Sequence, residues 1–378
     1  MRPEPSADAR SMRAEQDRRL MAAALRLSRW RLGQTGMNPS VGALIVRDDG
    51  AGPVVVGHGV TAPGGRPHAE TQALAQAGPL ARGATAYVTL EPCAHHGQTP
   101  PCADALVASG IRRVVVAADD PDPRVSGRGY AILQAAGIEV TRGVLATEAE
   151  RELAGFLTRI VKHRPYVTLK LALSPDGMIG RLGQGQVLVT GPGARAQSQM
   201  MRVQSDAILV GLGTAIADDP LLTVRLAGLE RHSPVRVVLD RDLSLPLASK
   251  LARTGRDVPL LVATAAEPEQ ARRSLLAGAG ADFLSAPAPG GRLDLEDVLG
   301  QLAGRGLSSL IVEGGAATAQ RFLNAGLVDR LVLFRGTSEI GAGGVASPVG
   351  WDAVGPPFRL VREDVFGGDQ CREWVRDG

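Results

Sequence analysis

The chain has 378 residues and a formal net charge of +3; 44% of its residues are hydrophobic, 21% charged and only 3% aromatic. The length favours two domains over one, and scarce aromatics with a nearly balanced charge argue against a base-stacking nucleic-acid platform. Three cysteines cannot close a disulfide framework, the charged N-terminus lacks the apolar h-region of a secretory signal, and no run approaches the roughly 20 apolar residues of a membrane span.

In chain order, residues 1–14 read as a disordered tail. Residues 15–33 form a helix with Leu20, Ala23, Ala24, Leu27 and Trp30 on one face. Strand-like runs follow: VGALIV from 41, VVVGHGV from 54, TAYVTL from 85 and RRVVVAA from 112. Between them, HAETQALAQAG, CADALVASG and GRGYAILQAAG read as helices that end at glycine. The stretch 147–165 reads as one helix stopped before Pro165. A second alternation then begins at YVTLKLALS and continues through DAILVG at 206, VRVVLD at 235, PLLVAT at 259, SSLIVEGG at 308 and RLVLFR at 330. Helical patterns fall at 192–204, 267–279, 294–304 and 316–326. The pattern predicts two α/β domains, 15–163 and 164–378, the second an open, mostly parallel doubly wound sheet.

Residues 91–102, EPCAHHGQTPPC, hold two of the three cysteines, and each directly follows a proline. Pro92 and Pro101 suit the first helical position, where no N–H is needed. Cys93 and Cys102 then fall in first turns, where the helix end favours thiolate. Two such thiolates invite zinc. His68, in PHAE, supplies a third ligand at the start of another helix. Three protein ligands leave zinc an open position for water, whose pKa it lowers towards neutrality. Glu70 is placed to carry the proton from that water to a leaving amine. His95 and His96 read as turn residues outside the ligand set, and Cys371 as packing or surface.

The order H-x-E…P-C…C is that of zinc nucleobase deaminases, with eight residues between the cysteines in place of two. With MNPSVGALIV upstream and DDPDPRVSGRG downstream, it resembles the bifunctional deaminase–reductase family of riboflavin biosynthesis. The resemblance implies a cytidine-deaminase-like three-layer α/β/α domain. It implies one zinc on His68, Cys93 and Cys102, proton transfer by Glu70, and contact between Asn38 and a pyrimidine ribosyl phosphate that loses ammonia. Where that family carries a basic residue before TPPC, this chain has Gln98.

In the second half, DAILVGLGTAIADDPLLTVR reads as a strand entering a long glycine-containing loop. LIVEGGAATAQRFL reads as strand, Gly-Gly turn and helix, a shape that lets backbone N–H groups approach a phosphate. No G-x-G-x-x-G fingerprint stands out. The resemblance implies instead a dihydrofolate-reductase-like doubly wound domain that uses NADPH to reduce a ribosyl group to ribityl. By the same resemblance Thr214, Asp218, Gly315, Ala316, Ala317 and Thr318 contact NADPH. Arg202, Leu222, Arg225 and Glu313 contact substrate, and Arg241 is a candidate for the 2′-phosphate. Gln186 and Leu188 stand where family members carry Ser and Trp; Pro175 replaces a Leu, and FRGTSEIGAGG lacks a Pro-Lys segment. A cytoplasmic homo-oligomer with a small-molecule substrate, and with no nucleic-acid or membrane partner, is expected. Two alternatives remain at this point: a deaminase of another base with a non-reducing second domain, and a binding module with a structural zinc site.

Overall fold

A computed structural model of the chain describes residues 7–95, 100–265, 267 and 269–377. The chain divides into two compact units, Met1–Lys162 and His163–Gly378. Among the described residues no helix is long and apolar enough to cross a membrane.

The first unit runs α1 (Ala7–Ser28), β1 (Gly42–Asp48), β2 (Pro53–Val60), α2 (Ala69–Ala77), β3 (Thr85–Leu90), α3 (Cys102–Ala108), β4 (Arg113–Ala118), α4 (Arg128–Ala135), β5 (Glu139–Thr141), α5 (Ala146–Glu152) and α6 (Ala154–Lys162). Its sheet has the order β2-β1-β3-β4-β5. β1 is antiparallel to β2 and β3, and β3, β4 and β5 are parallel. Glycines set how closely helices approach this sheet. A Cβ on Gly42 would lie 2.1 Å from the Ala24 carbonyl oxygen in α1, and Cβ atoms on Gly57 and Gly59 would lie 2.1 and 2.2 Å from carbonyl oxygens of α2. Gly59 pairs with Ala43, so Gly42, one residue earlier, faces the other side of the pleat. α1 and α2 therefore cover opposite faces, which makes a three-layer α/β/α unit.

Two local expectations need correction. α1 begins at Ala7, so residues 7–14 are helical rather than a tail; residues 1–6 lie outside the described residues. The segment, ADARSMRA, is charged but rich in Ala and Arg, with a Met, all good helix formers. Its Arg13 also pairs with Glu139 of β5 at 2.6 Å. Further along, Asp17 is buried and takes a two-pronged bond from Arg113 at 2.7 Å and one from the Tyr87 hydroxyl at 2.8 Å. The stretch 147–165 is two helices, not one. Leu153, 3% exposed, ends α5 with φ −93° and ψ 3° and turns into the core before α6 starts.

The second unit runs β6 (Tyr166–Leu173), β7 (Met178–Arg181), α7 (Pro192–Val203), β8 (Ala207–Gly211), α8 (Leu212–Asp218), β9 (Val235–Leu239), α9 (Lys250–Arg253), β10 (Leu260–Ala265), α10 (Gln270–Gly278), β11 (Ala281–Ala286), α11 (Leu295–Gly304), β12 (Ser309–Glu313), α12 (Ala316–Asn324), β13 (Arg330–Arg335), β14 (Gly344–Ala346), β15 (Phe358–Phe366) and β16 (Asp369–Arg376). The main sheet has nine strands in the order β11-β10-β9-β8-β12-β6-β13-β16-β15. It is parallel from β11 to β13 and antiparallel where β13, β16 and β15 meet. Alternate residues feed two cores, one on each face: Ala207 and Leu209 of β8 enter one, Ile208 and Val210 the other. β7 and β14 form a separate antiparallel pair.

Candidate active sites

In the first unit His68 is the N-cap of α2, with extended backbone and no capping bond from its side chain. The imidazole is thus free to turn towards the thiols. Its Nδ1 lies 3.3 Å from Cys102 Sγ and 3.7 Å from Cys93 Sγ. The three donor atoms lie within 4.8 Å of one another. Tetrahedral zinc, with Zn–N near 2.0–2.1 Å and Zn–S near 2.3 Å, separates an N and an S ligand by about 3.6 Å. The donor set and spacing fit that ion.

The two cysteines reach this point differently. Cys102 opens α3 behind an N-cap Pro101. Cys93 is not helical; it lies in irregular chain after β3, where the expected first turn does not form. That segment is instead tied by the Glu91 N–H to the Ala118 carbonyl at 3.0 Å and by the Ala103 N–H to the Cys93 carbonyl at 3.2 Å. The Cys102 N–H then donates to Cys93 Sγ at 3.2 Å. Hydrogen bonds from the Cys102 side chain and from His68 bring the Cys93 thiol down to about 4, against the opposing effect of burial. The same Cys93–Cys102 bond raises the Cys102 thiol. A divalent cation would favour thiolate at both.

Glu70 sits in the first turn of α2 and is 4% exposed. Burial, with the Cys93 charge adding to it, pushes its carboxyl up to about 7. A carboxyl poised there can both take and give a proton near neutral pH. His68, Glu70, Cys93 and Asn38 line one cavity of about 320 Å³, with Cys102 buried behind them. His95 also lines the cavity but lies outside the ligand cluster; His96 and Gln98 lie outside the described residues.

The sequence reading did not single out Glu91, Asp120, Arg66, Arg124 and Arg159, which line the same cavity. Glu91 accepts the Gly127 and Gly129 N–H groups, both at 3.1 Å. A Cβ at Gly129 would meet the Pro92 carbonyl at 2.1 Å. Those contacts hold the DDPDPRVSGRG loop over the site. Asp120 is buried, and loss of hydration raises its carboxyl to about 6. The Asp-Pro-Asp-Pro turn was the signal available in the sequence.

In the second unit a cavity of about 690 Å³ is lined by Thr214, Asp218, Glu313 and the turn Gly315–Thr318, together with Gln186 and Leu188. The loop expected after β8 is in fact α8, which brings Thr214 under the Gly-Gly turn. There Thr214 Oγ1 accepts the Gly315 N–H at 2.8 Å. Gly314 has φ 119°, and a Cβ on it would lie 2.9 Å from the Thr214 side chain, so only glycine fits that turn. Glu313 receives a two-pronged bond from Arg202 at 2.9 and 2.8 Å. Burial opposes the charge of Glu313, but Arg202 and Lys170 outweigh it and hold its carboxyl at about 2.

Not every expected contact lies in this cavity. Arg202 reaches it through Glu313 and also donates to the Thr223 carbonyl at 3.0 Å. Leu222 is buried in the core at φ 57°. Arg225 is exposed, and its backbone N–H donates to Gln199. Neither of these two residues lines the cavity. Arg241 pairs with Asp242 and donates to the Gly291 carbonyl, and it too is absent from the lining. Cys371 is buried in the core, where its thiol is pushed up to about 12 by burial. Lys170, missed in the sequence, lines the cavity and lies 5.7 Å from the Phe334 ring centroid. Burial lowers its ammonium pKa, and Glu313 opposes that shift. A lone lysine inside the apolar strand YVTLKLAL was its signal.

Residues 14–118 match the cytidine and deoxycytidylate deaminase zinc-binding region, and residues 165–367 match the RibD C-terminal domain. The chain is 42% identical to the riboflavin biosynthesis protein RibD of Aquifex aeolicus over 93% of this chain and 95% of that one. It is 39% identical to the RibD of Escherichia coli over 95% and 99%. Among solved structures it is similar to Acinetobacter baumannii RibD, with TM-score 0.84 and 35% identity over 97% of this chain and all of that one. A second is the diaminohydroxyphosphoribosylaminopyrimidine deaminase/5-amino-6-(5-phosphoribosylamino)uracil reductase of Thermotoga maritima, with TM-score 0.83 and 32% identity at the same coverage. Identity of that extent across both units, each with its own cavity, places the chain in the RibD family: it is a bifunctional enzyme of riboflavin biosynthesis, with a zinc-binding deaminase domain followed by a reductase domain.

Proposed function

We propose that the first unit deaminates 2,5-diamino-6-ribosylamino-4(3H)-pyrimidinone 5′-phosphate and that the second reduces the ribosyl group of the product to ribityl with NADPH. The observation that carries this reading is the placement of a buried carboxyl, Glu70, in the same cavity as two of the three soft-metal donors. A structural metal site has no use for such a neighbour. His68, Cys93 and Cys102 would hold zinc, which when bound supplies Lewis-acid activation of the attacking water. Glu70 takes the proton of that water and delivers it to the departing amine, so that ammonia leaves. Asn38 meets the pyrimidine edge.

In the second unit NADPH, when bound, supplies a hydride to the sugar carbon attached to nitrogen. Thr214, Asp218 and the 315–318 turn hold the cofactor. Opening the sugar also requires a proton, and Lys170 is the cavity-lining group whose acidity burial has increased. Glu313, fixed by Arg202, orients the sugar. The test is direct: incubate the purified enzyme with the diaminopyrimidine phosphate and identify the products by mass. Without NADPH the deaminated ribosyl compound should accumulate; with NADPH the ribityl compound should replace it. If deamination proceeds but NADPH is never oxidised, the second half of the reading fails.

A further inference from the structure

The cavity of the second unit is lined in part by the Gly314–Gly315 turn, which Thr214 closes. It is lined in part by a stretch of quite different character. Residues 185–190 all face it, yet none of them is in a helix or a strand. Leu188, in the middle of the stretch, is 66% exposed. A wall without the hydrogen-bond ladder of a regular element opens easily unless something outside it holds it in place.

The C-terminal end of this wall is held from strands behind it. A Cβ on Gly336, just past β13, would fall 1.9 Å from the Val189 carbonyl oxygen, so the wall rests directly on the end of that strand. One residue beyond the wall, the Gly191 N–H donates to Asp369 Oδ2 at 2.7 Å. Asp369 opens β16 directly after Gly367 and Gly368, and it is 4% exposed. Gly191 is the N-cap of α7. In a capping box the N-cap N–H is accepted by a Glu or Gln three residues along. Here that position is Ala194, which has no acceptor, and Asp369 supplies one from another element. It does so at the helix end that favours negative charge. Arg195 also clasps the wall, donating to the Thr190 carbonyl at 2.7 Å, but Arg195 is exposed and water competes for that bond.

We propose that Asp369 is a positioning residue of the reductase site: by holding the Gly191 N–H it fixes the end of the 185–190 wall against which the cofactor lies. The role rests on the NADPH reading above. Asp369 does not itself line the cavity and touches no reacting group, so it acts only through the wall and the start of α7. The β15–β16 hairpin thereby gains a task in the site, because the turn at its tip delivers one buried acid to the wall. Without that bond the wall spends part of its time displaced, and the apparent affinity for the cofactor falls with the fraction of molecules in which it is in place.

The experiment uses the full-length enzyme and three variants. Asp369→Ala removes the acceptor, and Asp369→Asn keeps one. Gln370→Ala loosens the same hairpin, since Gln370 accepts from Arg335, without touching the wall. Two readouts need no turnover: backbone hydrogen exchange of residues 185–191 without cofactor, and the dissociation constant for NADPH from its fluorescence. Asp369→Ala should speed that exchange and weaken NADPH binding, each about tenfold, the low end for losing a hydrogen bond to a charged group. In turnover the loss should fall on KM for NADPH, with kcat at saturating NADPH within about twofold of wild type. Deamination on the other unit should be unchanged, which shows the protein intact. Asp369→Asn should bring exchange and affinity back to within about threefold of wild type, and Gln370→Ala should match wild type. If wild type binds NADPH and Asp369→Ala binds it as tightly, Asp369 only caps α7, and the inference is overturned while the cofactor reading stands. An asparagine variant as weak as alanine, or a Gln370→Ala variant as weak as either, overturns it too, because the hydrogen bond to Gly191 is then not what holds the wall. If wild type binds no NADPH, the cofactor reading itself falls, and the role of Asp369 with it.

Discussion

The two cavities of this enzyme are built from different materials. In the first unit, four particular side chains converge: an imidazole at a helix cap, a thiol on irregular chain, a thiol at a helix start and a buried carboxyl. In the second unit the cavity wall between β8 and β12 is mostly backbone: a Gly-Gly turn, the start of α12 and one threonine hydroxyl that closes the turn. The first site does chemistry with groups whose charge must be tuned. The second, on the function proposed above, holds a large cofactor and shapes a surface for it. The first should therefore fail sharply when one functional group changes. The second should lose affinity by degrees.

The sharpest break is Glu70→Gln. The amide is nearly isosteric but cannot relay a proton, and general acid–base groups contribute about 10²–10⁴-fold. Deamination should fall by that factor while zinc, measured by atomic absorption, stays bound. The same preparation should still oxidise NADPH at the wild-type rate when given the deaminated ribosyl compound. A variant that deaminates at the wild-type rate would remove Glu70 from the mechanism; a variant that also loses zinc would make it a ligand.

The second cavity has a charge-dependent feature of its own, the Arg202–Glu313 pair beside Lys170. Their side chains are 10% and 12% exposed, and breaking such a pair from one side costs roughly 3–5 kcal/mol. Glu313 is held at about 2, below its usual 4.5. A depressed carboxylate stabilises the fold above its unfolded pKa, and that stability is lost as pH falls through the folded value. Wild type should therefore be more stable than Glu313→Gln at pH 7, and the gap should close between about 4.5 and about 2. Denaturant unfolding of both proteins across that range measures it. A gap independent of pH would mean that the charge of Glu313 does not stabilise the unit.

The contrast also explains which features could be read from the residues. A metal site needs particular side chains in a particular order, so the grouping of His68, Cys93 and Cys102 with Glu70 nearby was legible before any fold. Their local geometry was not: Cys93 was placed in a helical turn, and irregular chain takes it to His68 instead. The parallel core strands, apolar on both faces, were also legible. The hairpin of β15 and β16 was missed because FRLVREDVF breaks its apolar pattern with a charged R-E-D run and is largely exposed, although the Gly-Gly at 367–368 is a hairpin signal. α1 was started too late because its first turns are polar and carry no periodic apolar stripe. Leu222 and Arg225 were grouped with Thr214 and Asp218 as one loop. α8 carries Thr214 and Asp218 and ends before Leu222 and Arg225, so Leu222 and Arg225 lie outside the cavity that Thr214 and Asp218 line. Neighbours in sequence stay neighbours in a site only while the chain remains extended.

The smallest expected effect tests whether the reductase wall depends on its one side-chain clasp. Thr214 Oγ1 accepts the Gly315 N–H at 2.8 Å, just where α12 begins. Valine has the same shape without the oxygen, so Thr214→Val leaves that N–H without its partner at the mouth of the cofactor cavity. A net hydrogen bond of this kind contributes about 0.5–1.5 kcal/mol, so the dissociation constant for NADPH, read from its fluorescence on titration, should rise roughly two- to tenfold. Thr214→Ser keeps the oxygen and should bind NADPH close to wild type. The backbone would still follow its course, because Gly314 reaches φ 119° without the strain another residue would meet. That is why the loss should be graded rather than complete. If valine binds NADPH as tightly as threonine, the turn holds its form without the hydroxyl, and the cofactor wall is backbone alone. If valine abolishes binding, a single side chain governs this site as strictly as Glu70 governs the other, and the contrast between the two sites disappears.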